Sequence, residues 1–276
     1  MRVALVQLNA GDMPLENLPV TEAFVREAAQ KGAEFVLTPE VTNIVSTSRA
    51  HQQQVLCKEA DDPTLHRLCG LAAELGIWVL IGSLALKTGD SDARFANRSF
   101  LIGPDGAVFA RYDKIHMFDV DISETETWRE SDAFRPGAHL SLAKTAIGNI
   151  GMTVCYDLRF PHMHRDLAKA GAEILTQPAA FSPVSGAAHW HVLLRARAIE
   201  TGCFVLAPAQ CGTHSIHTGK PRTTFGHSLA VSPWGEVLAD GGEEPGISVL
   251  DLDLSEVART RARIPSLFHD RSYRGP

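Results

Sequence analysis

Glu40, Lys114 and Cys155 are residue types suited to covalent chemistry at neutral pH, and each stands just past a run of apolar residues. Phe35-Val36-Leu37 runs through Thr38-Pro39 into Glu40, the stretch from Ala107 to Tyr112 delivers Lys114, and Gly148-Asn149-Ile150-Gly151-Met152-Thr153-Val154 leads into Cys155. A free thiol has a pKa of about 8.5 and needs a base or a nearby cation to react efficiently at neutral pH, and a carboxylate and an ammonium supply both. The chemistry they suit is acyl transfer from an amide. Glu40 takes the Cys155 proton as sulfur attacks the carbonyl carbon. Lys114 and the backbone N–H of Tyr156 hold the oxyanion, an interaction worth about 2.7–4 kcal/mol per donor. Glu40 then protonates the leaving nitrogen, ammonia departs, and the same carboxylate activates the water that releases the acid from its thioester. Residue type and spacing alone also admit ordinary roles: an inert buried thiol, a strand-end lysine in solvent, a glutamate capping a helix.

Strands must end together to bring these groups to one place. Val3 to Leu8 reads as a strand, and Leu15, Leu18, Phe24, Val25 and Ala28 recur at helical spacing before Lys31-Gly32. A helix from Pro63 to Leu75 and a strand from Ile77 to Ile81 repeat the alternation, and Gly103-Pro-Asp-Gly106 turns a hairpin between Ser99–Ile102 and Ala107–Tyr112. Residues 116–139 form a long polar stretch with Asp119, Asp121, Glu124, Glu126 and Glu130, read as a lid. Pro161 opens a helix ending at Lys169, a strand follows around Ile174 and Leu175, and an amphipathic helix spans Ala188 to Glu200. Phe204–Ala207, a hairpin at Pro233-Trp-Gly235, Ile247–Leu252 and a short Arg-rich helix complete the chain. Apolar strands interleaved with amphipathic helices indicate an α/β layered fold, and no repeat or linker divides the 276 residues, which read as a single domain.

At 45% hydrophobic and 21% charged, the composition is that of a soluble globular chain with a full core. No signal-peptide pattern and no long apolar run is visible, so a cytoplasmic location and no membrane partner are expected. Five cysteines without CxxC spacing read as reduced thiols. Formal net charge is -6, and the one dense basic stretch is Arg259, Arg261 and Arg263, which argues against nucleic acid and for a small-molecule partner.

The segments around Pro39-Glu40, Arg111-Tyr112-Asp113-Lys114-Ile115-His116 and Gly151-Met152-Thr153-Val154-Cys155-Tyr156-Asp157-Leu158-Arg159-Phe160-Pro161 resemble the nitrilase superfamily of carbon-nitrogen hydrolases, in order and over nearly the whole chain. Gly171–Leu175, Ala188-His189-Trp190, Leu194–Glu200 and Ala209–Gly212 resemble its Nit branch. The resemblance implies a four-layer αββα sandwich that assembles as a homodimer or higher homo-oligomer. It implies Glu40 as general base, Lys114 as the oxyanion's cation, Cys155 as nucleophile, and Glu130 as a second carboxylate orienting Lys114 and substrate. It further implies hydrolysis of the terminal carboxamide of a small 2-oxo acid to acid and ammonia. Phe181–Gly186 and Gln210-Cys211-Gly212 with His214 are more similar to amidases of deaminated glutathione than to omega-amidases of 2-oxoglutaramate or 2-oxosuccinamate, the alternative activity. Asp119–Arg135, with its Thr-Glu-Thr-Trp-Arg-Glu run, and the polar, basic Ser215–Arg222 depart from the branch pattern, and both can reshape the pocket.

Arg159 suits a substrate carboxylate by its guanidinium, with an ion pair supporting the nucleophile's turn as the competing role. His189 and His116 fall within family motifs and shape the pocket or hold a loop. The remaining histidines lack HExxH or CxxC context, so no metal is expected, and without a dinucleotide or P-loop glycine pattern neither is a cofactor. Arg195, Arg197 and Glu200 read as structural charges on a helix, forming a solvated face, intrahelical pairs or a dimer contact. A metal-dependent hydrolase and a catalytically silent scaffold are the competing classes. Chelator sensitivity would favour the first, and separation of the three reactive side chains the second.

Overall fold

In β1 (Arg2–Gln7), Val3 and Leu5 face one way and Ala4 and Val6 the other, and all four are buried. A strand apolar on both faces must lie between two layers. The computed structural model describes residues 1–122 and 127–275, and this pattern governs it. The first half continues as α1 (Pro14–Gln30), β2 (Phe35–Leu37), α2 (Arg49–Val55), α3 (Pro63–Leu75), β3 (Trp78–Lys87), β4 (Phe95–Ile102) and β5 (Val108–Asp113). Next come β6 (Asp119–Asp121), β7 (Thr127–Arg129), β8 (Ser141–Thr145), β9 (Gly148–Met152), α4 (Pro161–Lys169) and β10 (Ile174–Thr176). The chain finishes with α5 (Pro183–Thr201), β11 (Phe204–Ala207), β12 (Cys211–Thr213), β13 (Thr223–Phe225), β14 (Leu229–Val231), β15 (Val237–Asp240), β16 (Gly246–Asp251) and α6 (Ser255–Arg263).

Two six-stranded sheets result, ordered β16-β1-β2-β3-β4-β5 and β15-β14-β11-β10-β9-β8. Each has a parallel centre, β1-β2-β3 in one and β9-β10-β11 in the other, flanked by antiparallel strands. Leu5, Leu37, Leu80 and Leu101 of the first sheet share a core with Met152, Leu175 and Leu206 of the second. The opposite face of the first sheet, with Val6, Val36 and Val79, is covered by Val25 of α1 and Leu68 of α3. On the far side of the second sheet, α4 contributes Leu167 and α5 contributes Trp190 and Leu194. The layers are therefore helix, sheet, sheet, helix: the αββα sandwich. Among the described residues no helix is long and apolar enough to cross a membrane.

Local chemistry sets the helix limits. Asp62 accepts a bond from the Leu65 N–H at 2.8 Å ahead of Pro63, and Gly76, at φ 65°, ends α3. α5 starts at Pro183 rather than Ala188, because a proline at the first helical position recruits the small residues after it. Gly186 then lies against β13, where an added Cβ would come 2.3 Å from the Phe225 ring. The expected lid contains β6 paired antiparallel with β7, and Phe118, Trp128, Arg129 and Phe134 from it wall a cavity; Glu124 and Glu126 lie outside the described residues.

Candidate active site

Glu40, Lys114 and Cys155 follow the carboxyl ends of β2, β5 and β9, where ligand sites of α/β sheets gather, and all three are buried. Lys114 Nζ donates to Glu40 Oε1 at 2.9 Å and to Glu130 Oε1 and Oε2 at 3.0 and 2.8 Å. The Cys155 thiol faces the same Glu40 carboxylate, which acts on it electrostatically. Asn97 Nδ2 bridges the two acids, at 2.9 Å from Glu40 and 3.3 Å from Glu130. Backbone N–H groups complete the set, Ala180 to Glu40 Oε2 at 2.9 Å and Phe118 to Glu130 Oε2 at 2.6 Å.

These contacts fix the protonation states. Burial works to raise the pKa of Glu40, but Lys114 and the bonds it receives outweigh that, and the carboxyl is held below its usual value. Burial also opposes charge on Lys114, yet Glu130 and Glu40 keep its pKa well above the ordinary lysine value. Burial and the Glu40 anion push the Cys155 thiol well up. The resting site thus holds a carboxylate, an ammonium and a neutral thiol.

The backbone that carries these groups is constrained. Cys155 has φ 51° and Val41, next to Glu40, has φ 47°, a region costly for residues with a side chain and most of all for a β-branched one. Cys155 is pinned by its N–H to Pro178 O at 2.9 Å and by Gln177 Nε2 to its carbonyl at 3.0 Å. Asp157, two residues on, accepts from Tyr112 Oη at 2.7 Å, from the N–H and Nδ1 of His116 at 3.1 and 2.7 Å, and from Val154 N–H at 2.9 Å. It ties the Cys155 turn to the segment bearing Lys114. At Glu40 the clamp is β3: Ser83 Oγ accepts from Val41 N–H at 2.8 Å, and Gly82 leaves no space for a side chain, since a Cβ there would sit 2.1 Å from Thr38 O.

A single cavity is lined by Glu40, Lys114, Glu130 and Cys155 together with Phe118, Trp128, Phe134, Phe181 and Arg222. A family model described as "Carbon-nitrogen hydrolase" matches residues 2–262. The chain belongs to the carbon-nitrogen hydrolase family. The hydrolase is 38% identical to a deaminated glutathione amidase of Yersinia enterocolitica, over 98% of this chain and 92% of the relative. Its fold matches the NitFhit protein of C. elegans with TM-score 0.89 and 33% identity, covering 98% of this chain and 65% of that one. It also matches an amidase of Nesterenkonia sp. AN1 with TM-score 0.77 and 27% identity over 96% and 98% of the two chains, a structure showing Michael addition of acrylamide at the active site cysteine.

Of the auxiliary residues expected from the sequence, Glu130 lies in the site of the hydrolase, and Tyr156 packs its ring edge-on against Phe118. Arg159 and His189 sit beside the cavity lining, the guanidinium 3.3 Å from His189 Nδ1 and over the rings of Tyr156 and Phe181. His116 holds Asp157 and stacks on Phe160, 3.5 Å between ring centres. Arg197 forms the expected intrahelical pair, Nη1 to Glu200 Oε1 at 2.7 Å, but it is buried and not on a solvated face, with Nε donating to Leu158 O at 2.9 Å behind the Cys155 turn. Sequence reasoning missed Asn97 and Gln177, reached Arg222 only as the end of a polar loop able to reshape the pocket, and passed over Asp157 as a letter in a motif. His191, His227 and Asp240 bring ligating atoms together outside the cavity lining, where the Asp240 carboxylate already accepts from both imidazoles at 2.9 Å.

Proposed function

We propose that this hydrolase cleaves a small amide of a 2-oxo acid, deaminated glutathione before 2-oxoglutaramate, by acyl transfer to Cys155. The observation that supports this most is one buried carboxylate, Glu40, that accepts from the Lys114 ammonium and faces the Cys155 thiol on the wall of a cavity. The substrate comes from relatives named deaminated glutathione amidase, the human one 39% identical over 98% of this chain.

With the thiol neutral at rest, Glu40 accepts its proton as sulfur attacks the amide carbon, so no free thiolate has to persist in a buried site. The oxyanion is stabilised by Lys114 and by the backbone N–H of Tyr156, which the start of a 3-10 turn leaves without a partner inside the turn. Collapse breaks the C–N bond, and the proton on Glu40 passes to the leaving nitrogen. Water, deprotonated by Glu40, then attacks the thioester, and that second proton restores the thiol. Glu130 holds Lys114 in place and balances its charge.

In deaminated glutathione the scissile nitrogen belongs to cysteinylglycine, so an amine leaves in place of the ammonia expected for a terminal carboxamide. The test measures 2-oxo acid release from deaminated glutathione and from 2-oxoglutaramate side by side, with Cys155→Ala as control. Higher kcat/KM for the former, lost in the variant, is the expected result. Preference for the latter assigns the omega-amidase reaction, and full activity in Cys155→Ala contradicts the mechanism.

A further inference from the structure

The carboxylates of such a substrate need a cation that the catalytic groups do not supply, because Lys114 is already engaged by Glu40 and Glu130. Three arginines line the cavity: Arg49, Arg129 and Arg222. Arg129 is paired with Asp121 at 2.8 Å, and Arg49 donates to the carbonyls of Asp92 and Ala93. Arg222 has no carboxylate partner among the described residues. Its Nη2 donates to Ala180 O at 2.5 Å, and its guanidinium lies 5.0 Å over the Trp128 ring. One N–H used and one face stacked fix the plane of the fork and leave the other donors for a ligand.

The loop carrying Arg222 is built into the body of the protein. Buried Asp12 accepts from the N–H and Nδ1 of His217, both at 2.8 Å, and from Thr218 N–H at 3.1 Å. Thr47 Oγ1 donates to Lys220 O at 3.0 Å, and His214, buried with its pKa pushed down to about 4 by desolvation, gives its N–H to Arg222 O at 2.9 Å. A cation held this way has little conformational entropy to lose on binding.

We propose that Arg222 is the substrate-carboxylate subsite of this cavity, with the Trp128 ring as its platform. The inference rests on the function proposed above and assigns to Arg222 the recognition that the sequence assigned to Arg159. It also makes Ser215–Arg222 a specificity element.

The test compares wild type, Arg222→Gln and Arg159→Gln on deaminated glutathione, 2-oxoglutaramate and propionamide. Loss of a charge-assisted hydrogen-bonded contact is expected to lower kcat/KM of Arg222→Gln on the carboxylated amides about 10- to 100-fold, mainly through KM, and on propionamide, which has no carboxylate, by a clearly smaller factor. Loss on both anionic substrates places the bound carboxylate on the acyl side, and loss on deaminated glutathione alone places it on the leaving dipeptide. An equal loss on propionamide overturns the proposal, since Arg222 would then act by holding Ala180 against Glu40. No loss, or a loss only in Arg159→Gln, overturns it as well. Calorimetric binding of 2-oxoglutarate to Cys155→Ala, with and without Arg222→Gln, separates this proposal from the function it rests on. Affinity that disappears with Arg222 supports an acyl-side subsite even for an enzyme that does not turn over deaminated glutathione, whereas equal or absent affinity, with no kinetic loss of Arg222→Gln on deaminated glutathione either, contradicts the proposal.

Discussion

Glu40 has three jobs on two oxygens: it faces the Cys155 thiol, accepts from Lys114 and Asn97, and accepts from the Ala180 N–H. Replacing it with glutamine keeps the shape and removes the base, so Glu40→Gln is expected to lower kcat by about 10²–10⁴-fold. The variant's steady-state rate measures this, and a loss below tenfold contradicts the assignment. The pH profile follows from the directions of the shifts. A carboxyl held low stays ionised until the pH falls below its ordinary value of about 4.3, and a thiol held high gains no thiolate near its ordinary 8.5, so kcat/KM is expected to be flat between roughly pH 5 and 9. A rise centred on pH 8.5 would mean that free thiolate is the attacking species. The meeting of Glu40, Lys114 and Cys155 at one cavity was legible because each is chemically conspicuous and follows an apolar run. The roles of Asn97, Gln177 and Arg222 were not: an amide inside a strand or an arginine in a polar loop acquires meaning only when burial and long-range contact give it a partner.

At the scale of elements, the site depends on two clamps. β3 bulges between Ile81 and Leu84, and Gly82 lets it approach Thr38–Pro39 so that Ser83 can hold the backbone beside Glu40. Gly82→Ala would force a Cβ to within 2.1 Å of a carbonyl oxygen, and a drop in melting temperature with disproportionate loss of kcat is expected; an unchanged variant contradicts the clamp. Asp157 joins the Cys155 turn to Tyr112 and His116, with Tyr112 held well above its usual pKa by burial and by Asp157. Asp157→Asn introduces donors facing donors, and a loss of about 3 kcal/mol in urea unfolding is expected. A change under 1 kcal/mol would show that the turn stands without it. Helices with apolar periodicity and capping residues, such as Pro63–Leu75, were readable residue by residue. α2, Arg-Ala-His-Gln-Gln-Gln-Val, has no such stripe, and it forms because Ser48 caps it and the surrounding loops enclose His51 and Gln52.

The whole molecule repeats one arrangement twice, a parallel three-stranded centre with helices on its outer face, and sets the two sheets against each other so that strand ends from both reach one cavity. The alternation of apolar runs made the layered class readable, whereas the stacking of sheet on sheet was reached only through family resemblance, since periodicity does not say which buried face meets which. α5 leaves Val184, Val192 and Ile199 exposed along one side, and Trp234 and Leu238 are exposed as well. We propose that a second copy covers this face. Sedimentation is expected to show a dimer that Val192→Glu with Ile199→Glu converts to monomer; a monomeric wild type contradicts it. The central claim concerns a bond to one sulfur, and intact-protein mass spectrometry of enzyme quenched during turnover of deaminated glutathione reads that bond directly. The account predicts a 2-oxoglutaryl adduct that maps to Cys155, is hydroxylamine-labile as a thioester is, and is missing from Cys155→Ala. Turnover with no acyl-enzyme at any quench time, together with an active Cys155→Ala protein, would contradict it.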